Sequence, residues 1–432
     1  MTSSSSSASS RPVPWSVYVL AAGIFAMTTS EFAVAGLMPQ LAAGLDTGIE
    51  QIGYLVTVFA VAMTIGGPAL TVLLLRATPR SALLVIFAIF LAGNVIAALA
   101  NSYWVMVIAR VVGGVAAQAF FGISVSLSAR LVDERMRGRA NGVAMSGLML
   151  GTLLGMPLAT FVGGQLGWRA AFWTISALTV VAALLTLRFV QNPAPADVAD
   201  AGAGSMRREL VVLRRPQFVL ALVSSTLIIG ATFSAFSFFT PILTDVTGLP
   251  AGLIPLLLVG YGAATLVGNT VVARLADRRT VVTLLAGTAL NAVFLAGFAL
   301  FAGAAPLALV FMLGIGLVGV TMNPAMAVRV QRAGSTAPLV NTIHASFITL
   351  GVILGSAIGS ALIPHYGLRA PLLLGCALAV LALVTIIPAL ADPHLRGGTS
   401  SLPEELVAAS ARPTSGPATA ERGDPGGRAA CT

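Results

Sequence analysis

Apolar residues run along this chain in long, almost unbroken stretches, separated by short segments that hold most of the charged residues. Each stretch has about 20 residues or more, the length that an α-helix needs to cross the hydrocarbon core of a bilayer. The pattern therefore predicts twelve membrane-spanning helices. They lie at 15–38, 52–75, 81–100, 104–128, 141–165, 170–190, 217–240, 251–274, 280–302, 305–329, 338–363 and 370–390.

The composition supports an all-α integral membrane protein. Hydrophobic residues make up 57% of the chain and charged residues only 9%, a much lower charge content than that of soluble domains. Both ends of the chain are more polar than the rest. We expect a disordered Ser-rich arm at 1–14 and a disordered tail rich in Pro, Gly, Ala and Arg at 391–432.

The net charge of +9 comes with an uneven distribution of arginine, and the chain has no lysine. If the termini are cytoplasmic, every arginine except Arg110, Arg169 and Arg369 falls in a cytoplasmic segment. This asymmetry follows the positive-inside rule. We therefore interpret the basic charge as a topology signal and not as a nucleic-acid surface.

The chain contains an internal repeat. NGVAMSGLMLGTLLGMPLATFVGGQLGWRA from Asn141 and NTIHASFITLGVILGSAIGSALIPHYGLRA from Asn341 share identical residues at a constant offset, among them Gly151/Gly351 and Gly155/Gly355. Six predicted spans separate the two copies, an even number, so the copies have the same orientation. The repeat predicts two parallel six-helix bundles, at 15–190 and 217–390, joined by a cytoplasmic linker at 191–216.

Five short segments carry a resemblance to a known family. They are TTSEFAVAGLMPQLA (28–42), ARVVGGVAAQAFFG (109–122), GMPLATFVGGQLGWRAAFW (155–173), ATFSAFSFFTPILTDVTG (231–248) and ARLADRR (273–279). In this order they resemble the major facilitator superfamily, and within it the twelve-span drug:proton antiporters of the bacterial chloramphenicol-resistance and sugar-efflux branch. The resemblance implies the major facilitator fold and drug export across the bacterial plasma (inner) membrane in exchange for protons.

The resemblance also implies gating and structural roles for two cytoplasmic loops and for the fifth span. The loop after the second span, GGPALTVLLLRATPRS, has no acid where the family has an Asp, whereas the loop after the eighth span keeps Asp277. We therefore expect an asymmetric latch on the cytoplasmic side. The gating and structural candidates are Arg76, Arg80, Gly155, Pro157, Arg274, Asp277 and Arg278.

Glu31 is the one acidic residue inside a predicted span. A charge at the bilayer centre costs about 3 kcal/mol or more, so such residues face a cavity or a partner and are functional candidates. A carboxyl in a dry site favours its protonated form and releases the proton when the site opens to water. This behaviour is what proton coupling requires. The structural alternative is a permanent ion pair with Arg110.

Arg110 is the second charged residue inside the predicted membrane region. We predict that it tunes proton coupling by Glu31, and the alternative is an anchor that donates hydrogen bonds to backbone carbonyls. Gln118 either lines the transport cavity or bonds between helices. Four asparagines are interpreted as interhelical hydrogen-bonding residues: Asn94, Asn269, Asn291 and Asn323.

Candidate substrate-binding residues share a helical face with Glu31 or belong to spans four and seven. Setting Pro39 over Pro241 in the repeat places Phe233 opposite Glu31. The candidates are Met27, Thr28, Ala35, Gln118, Phe233 and Phe236. Their mainly apolar character favours a small amphipathic antibiotic, similar to chloramphenicol, and leaves a sugar or nucleoside as the alternative substrate.

The remaining function classes have little support in the sequence. A P-loop needs a lysine, which the chain lacks, so we expect no ATP-driven pump and no cofactor, with the proton gradient as the energy source. The predicted spans contain no cluster of His, Asp and Glu, which disfavours a metal site, a membrane enzyme or a non-transporting sensor. We expect the partners to be substrate, protons and lipid, and the functional unit to be a monomer.

Overall fold

The structure is a computed structural model that describes residues 13–74, 76–133, 136–191, 215–334 and 338–390. The side chains of residues 277, 278, 338, 339, 389 and 390 are also outside the description. Most of the predicted arm (1–14), most of the linker (191–216) and the tail (391–432) fall outside the described residues. Within the described ranges, every regular element is a helix.

The described part of the chain forms thirteen α-helices of eight residues or more, besides several shorter helical turns. In chain order they are α1 (Trp15–Gly36), α2 (Met38–Leu45), α3 (Ile49–Leu73), α4 (Pro79–Leu99), α5 (Tyr103–Arg130), α6 (Arg137–Leu166), α7 (Trp168–Phe189), α8 (Pro216–Phe236), α9 (Ile254–Phe301), α10 (Ala305–Val318), α11 (Asn323–Ala333), α12 (Pro338–Tyr366) and α13 (Ala370–Ile386). Helix α9 bends at Arg279 (φ −142°, ψ 57°), which separates a first limb from a second.

These helices account for the twelve predicted spans. Eleven helical segments of the described chain are long and apolar enough to cross a membrane, and the two limbs of α9 count as two of them. The twelfth predicted span is α13, an apolar helix of 17 residues, at the lower end of the length that spans a bilayer. The prediction of an all-α membrane protein is confirmed.

The tenth span differs from its prediction as one continuous stretch at 305–329. Helix α10 ends at Val318, Gly319 has φ −79° and ψ −97°, and α11 begins at Asn323 after one turn of 3₁₀-helix. Pro324 explains the break, because it has no N–H to donate to the carbonyl of Val320 and its ring would clash with that carbonyl in an α-helix. Hydropathy alone does not detect such a break.

The first and seventh spans are also interrupted, and at related positions. Helix α1 ends at Gly36, before Pro39, and α8 ends at Phe236, before Pro241. A π-helix follows Pro241, at Ile242–Val246. Discontinuous helices in transporters lie near the substrate and ion sites. Glu31 and Phe233 are both close to these helix ends.

Glycines bring the fifth span onto the first and the eleventh onto the seventh. A Cβ atom placed on Gly155 of α6 would lie 2.8 Å from the Cα of Thr29 in α1. A Cβ atom on Gly355 of α12 would lie 2.4 Å from the carbonyl oxygen of Gly230 in α8. The repeat pair Gly155/Gly355 therefore marks the same close helix approach in each half of the chain, as small residues do at membrane helix interfaces.

Two of the helix pairs that join the first six spans to the last six lie beside cavities. Helix α3 packs on α12, where the hydroxyls of Thr57 and Ser356 are 2.8 Å apart. Helix α6 packs on the first limb of α9, where Leu153 lies against Gly262. The cavities described below lie beside these two contacts.

The orientation of the chain in the membrane is a prediction that reporter fusions can test. We expect reporters placed after Thr432 and within 191–216 to be cytoplasmic, because that placement keeps nearly all arginines on the cytoplasmic side. Fluorescent and periplasmic-active reporters fused at the two positions measure this. An outward-facing reporter at either position would contradict the twelve-span topology.

Candidate functional site

Glu31 lies on α1 at a small cavity between the two halves of the chain. The cavity has a volume of about 10 Å³, which is room for about one water molecule. The other lining residues are Phe32, Ala35, Val56, Phe59, Ala60, Phe233, Phe236, Ser237 and Val352. Glu31 is therefore the one charged group in a wall that is otherwise apolar, apart from the Ser237 hydroxyl.

Arg110 reaches α1 from α5 and is almost fully buried. Its Nη1 donates to the carbonyl of Ser30 at 2.9 Å and its Nη2 donates to the carbonyl of Glu31 at 3.3 Å. The guanidinium also lies over the ring of Phe59, 3.9 Å from the centroid, in a cation–π contact. Its contacts are thus to the backbone beside Glu31, as the anchor alternative predicts.

The permanent ion pair between Glu31 and Arg110 is not present among the described residues. The hydrogen bonds of Arg110 go to main-chain oxygens, and no described basic group lies within ion-pair distance of the Glu31 carboxylate. The carboxyl group is therefore held near a positive charge without being bound by it. Proton exchange at this carboxyl group stays a prediction.

Aromatic rings connect the Glu31 cavity to the first limb of α9. Phe32 meets Phe236 edge to face, with centroids 5.4 Å apart, and Phe236 stacks on Tyr261 at 5.4 Å. Phe233 contacts both Phe32 and Phe236. The rings form one packed group that borders the cavity, since Phe32, Phe233 and Phe236 all line it.

A second and larger cavity lies between α6, the first limb of α9 and the broken tenth span. We call it the asparagine cavity, after Asn269 and Asn323, and its volume is about 350 Å³. It is lined by Met145, Leu148, Met149, Thr152, Leu153, Gly262, Thr265, Leu266, Asn269, Val320, Thr321, Asn323, Pro324 and Ala327. It shares no lining residue with the Glu31 cavity.

The sequence comparison identifies the family. The family model for the Major Facilitator Superfamily matches residues 20–344, which is most of the chain. The chain belongs to the Major Facilitator Superfamily. This family consists of membrane transporters, so the chain is a multi-pass transporter of small molecules and not an enzyme.

This transporter is similar in sequence to bacterial proteins. It is 34% identical over 349 residues to a chloramphenicol resistance protein of Streptomyces lividans, covering 80% of this chain and 88% of that one. It is 32% identical over 355 residues to the inner membrane transport protein YdhP of Escherichia coli, covering 81% and 89%. The resemblance to the drug-efflux branch is therefore confirmed at the level of the family.

Solved structures support the same fold. A bacterial homologue of the human lysosomal transporter Spinster, crystallised in an inward-facing and unoccupied conformation, superposes with a TM-score of 0.74. The sequence identity is 14%, over 88% of this transporter and 97% of that chain. At this identity the likeness concerns the fold alone.

The structure brings only some of the predicted substrate-binding residues to Glu31. Ala35, Phe233 and Phe236 line its cavity. The side chain of Thr28 instead packs where Gly151 of α6 passes α1, and Gln118 packs against Gly67 of α3. Met27 is buried in the core. The helical face shared with Glu31 is thus largely taken up by helix packing.

The predicted gating residues differ from one another in their surroundings. Gly155 contacts α1, and Pro157 is buried inside α6, which continues past it as one helix. Arg80 donates from Nη2 to the carbonyl of Leu187 at the end of α7, whereas Arg76 and Arg274 are exposed. The structure does not describe the side chains of residues 277 and 278. The predicted latch in the loop after the eighth span therefore stays a prediction.

The four asparagines divide into two pairs. Asn94 accepts a hydrogen bond from the Ser30 hydroxyl at 2.9 Å, and Asn291 donates to Thr232 at 3.2 Å, so these two do bond between helices. Asn269 and Asn323 line the asparagine cavity, and the interpretation of them as interhelical hydrogen-bonding residues stays a prediction. Pro324, directly after Asn323, is the sequence signal that could have located the helix break and the cavity beside it.

We predict that Arg110→Ala impairs proton coupling. The substitution removes two hydrogen bonds from a charged donor to α1, each worth about 1.5–3 kcal/mol, so proton-driven uptake should fall by about tenfold or more. Uptake across a range of pH in everted vesicles measures this. Arg169→Ala is the matched control, because Arg169 also bonds a backbone carbonyl, that of Ala100, and stacks on Trp168 outside the predicted spans.

The control variant should keep the wild-type rate and pH profile. A wild-type rate and an unchanged pH profile in Arg110→Ala would show that Arg110 has no part in coupling.

Proposed function

We propose that this transporter exports a small amphipathic antibiotic similar to chloramphenicol, in exchange for protons, by alternating access across the bacterial plasma membrane. The observation that carries the proposal is Glu31, a carboxyl group in an apolar cavity between the two halves of the chain. Helices α1 and α3 supply one side of that cavity and α8 and α12 the other. Movement of the halves would expose the carboxyl group to water on one side and then the other.

The proton gradient provides enough free energy for this exchange. One charge that crosses a potential of ~100 mV yields ~2.3 kcal/mol. At ~1.4 kcal/mol for each tenfold ratio, one proton for each neutral drug molecule supports a concentration ratio of roughly fifty-fold. We therefore propose the proton gradient as the energy source, with no cofactor and with a monomer as the functional unit.

Two observations support an amphipathic drug as the substrate. The asparagine cavity, which has room for a drug-sized molecule, has a mainly apolar lining, which suits an amphipathic solute better than a polyol. The relative from Streptomyces lividans is named for chloramphenicol resistance. We therefore place a sugar or nucleoside second.

A drug-susceptibility panel in an efflux-deficient bacterial host tests the substrate class. Expression should raise the inhibitory concentration of chloramphenicol about tenfold, and Glu31→Gln, expressed at the same level, should not. The panel includes toxic nucleoside and sugar analogues beside the amphipathic antibiotics. Protection against only those analogues would contradict the proposed substrate class.

A further inference from the structure

The asparagine cavity has the size of a solute site. Its volume of about 350 Å³ is within the range of ligand pockets, whereas the Glu31 cavity has room for about one water molecule. The break between α10 and α11 forms one of its walls, since Val320 and Thr321 line it. Irregular backbone at membrane depth is found where it lines a cavity.

Its lining offers hydrogen bonds without charge. Neither Asn269 nor Asn323 has a hydrogen bond to a residue in the described part of the chain, and Asn323 is exposed. The hydroxyls of Thr152, Thr265 and Thr321 donate to carbonyls four residues earlier in the chain, so their oxygens still accept. The rest of the wall is methionine, leucine and other apolar residues.

This combination selects a class of solute. Two free amides pair with amide or hydroxyl groups, and the methionines adapt to irregular apolar shapes. The absence of charged residues from the described lining disfavours ions. The chemistry suits a neutral, amphipathic molecule with an apolar body and several amide or hydroxyl groups.

The first limb of α9 is shared by the asparagine cavity and the aromatic group at Glu31. Gly262 and Thr265 line the cavity, and Tyr261, beside Gly262, stacks on Phe236. Phe236 lines the Glu31 cavity and contacts Phe32, the residue after Glu31. A solute bound against this limb is therefore connected, through the contact of Tyr261 with Phe236, to the wall of the Glu31 cavity.

We propose that the transported solute binds in the asparagine cavity, and that Tyr261 couples its binding to proton release from Glu31. This rests on the proposed exchange of drug for protons. In this conformation the Glu31 cavity is too small to hold a drug, so the proposal has solute and proton compete through the protein and not for one space. Tyr261 is a positioning residue: through Phe236 it sets the access of water to Glu31, and the released proton passes to that water.

The charged surroundings of Glu31 agree with this assignment. Arg110 on α5 is the charged group next to it, bonded to its backbone carbonyl. The cavity residues that α3, α8 and α12 contribute are uncharged in the described structure. A change in the packing of Phe236 therefore acts on Glu31 through its contact with water, with Arg110 as a constant neighbour.

Equilibrium binding of radiolabelled chloramphenicol to the purified full chain tests the site. Asn269→Ala and Asn323→Ala should each weaken binding by about tenfold, since each loses the hydrogen bonds of one amide. Thr270→Ala is the matched control, because Thr270 is exposed, outside the cavity lining and bonded within its own helix. Leu266→Trp should abolish binding by filling the cavity from its exposed rim without removing a buried group.

Wild-type affinity in both alanine variants and in Leu266→Trp would overturn the assignment of the site. Because a misfolded variant also loses binding, each variant must first elute from size exclusion as the wild type does.

Proton release on chloramphenicol binding, measured with a pH dye in weakly buffered detergent, tests the coupling. Tyr261→Phe keeps the ring and should release protons as the wild type does. Tyr261→Leu should bind chloramphenicol with nearly wild-type affinity and release no proton, a result that a merely structural role would not produce.

Normal proton release by Tyr261→Leu would overturn the role of Tyr261. A wild-type protein that binds chloramphenicol in the asparagine cavity without any proton release would instead refute the proposed antiport and leave the site in place.

Discussion

Glu31→Gln is expected to abolish concentrative export while the protein remains folded and inserted. Gln has nearly the same shape as Glu and cannot release a proton, so the variant should still exchange drug between the two sides of a vesicle. With a potential of ~100 mV the wild type should hold a drug ratio of roughly fifty-fold, and the variant a ratio of about one. Radiolabelled chloramphenicol in everted vesicles measures both the counterflow and the final ratio.

Glu50→Gln is the matched control, because Glu50 is in the first turn of α3, outside the Glu31 cavity. It should concentrate drug as the wild type does. A drug ratio in Glu31→Gln equal to that of the wild type would contradict the role of Glu31.

Gly155→Val is expected to disrupt the packing of α6 on α1. The new Cβ would lie 2.8 Å from the Cα of Thr29, and backbone cannot move aside as a flexible side chain can. Overpacking of a buried contact costs about 1–3 kcal/mol or more, so the yield of folded protein and its unfolding temperature should both fall. Size exclusion and thermal unfolding in detergent measure this effect.

Gly142→Val provides a control on the same helix. A Cβ on Gly142 meets no described atom within 4 Å, so this variant should fold normally. Gly355→Val should destabilise the second half as Gly155→Val does the first, because its Cβ would lie 2.4 Å from the Gly230 carbonyl. Equal stability of Gly142→Val and Gly155→Val would show that close approach of α6 to α1 is not required.

The internal repeat is the feature that the sequence predicts best. Identical glycines at a constant offset are needed where two helices touch at their backbones, because any side chain there prevents the contact. The structure has Gly155 and Gly355 at those contacts. The membrane spans can be predicted from hydropathy for an equally direct reason. The thickness of the bilayer sets the length of each apolar stretch.

The fine structure of the tenth span was not predictable from hydropathy. A helix and a broken helix in this region have the same apolar composition, and the break depends on backbone hydrogen bonds that Pro324 cannot make. The role of Asn323 depends on that break, because it turns the residue toward the asparagine cavity. Sequence alone does not tell an asparagine that bonds between helices from one that faces a cavity.

The site was predicted in part. Glu31, Ala35, Phe233 and Phe236 do meet at one cavity, where Phe32 of α1 contacts the rings of α8. Thr28 and Gln118 lie on helices that border the site, but their side chains pack against neighbouring helices and do not line this cavity. The partner of Arg110 was open for a related reason, since the N–H groups of a guanidinium donate to carboxylate and to backbone carbonyl oxygens alike.

The most direct test of drug:proton exchange is the reverse reaction in proteoliposomes that contain only this protein. An imposed chloramphenicol gradient, with no initial difference in pH or potential, should drive protons in the direction opposite to the drug. A pH dye inside the vesicles reports this movement, and Glu31→Gln vesicles should show the drug moving without it. Drug movement by the wild type with no proton movement, or with protons in the same direction, would contradict the exchange.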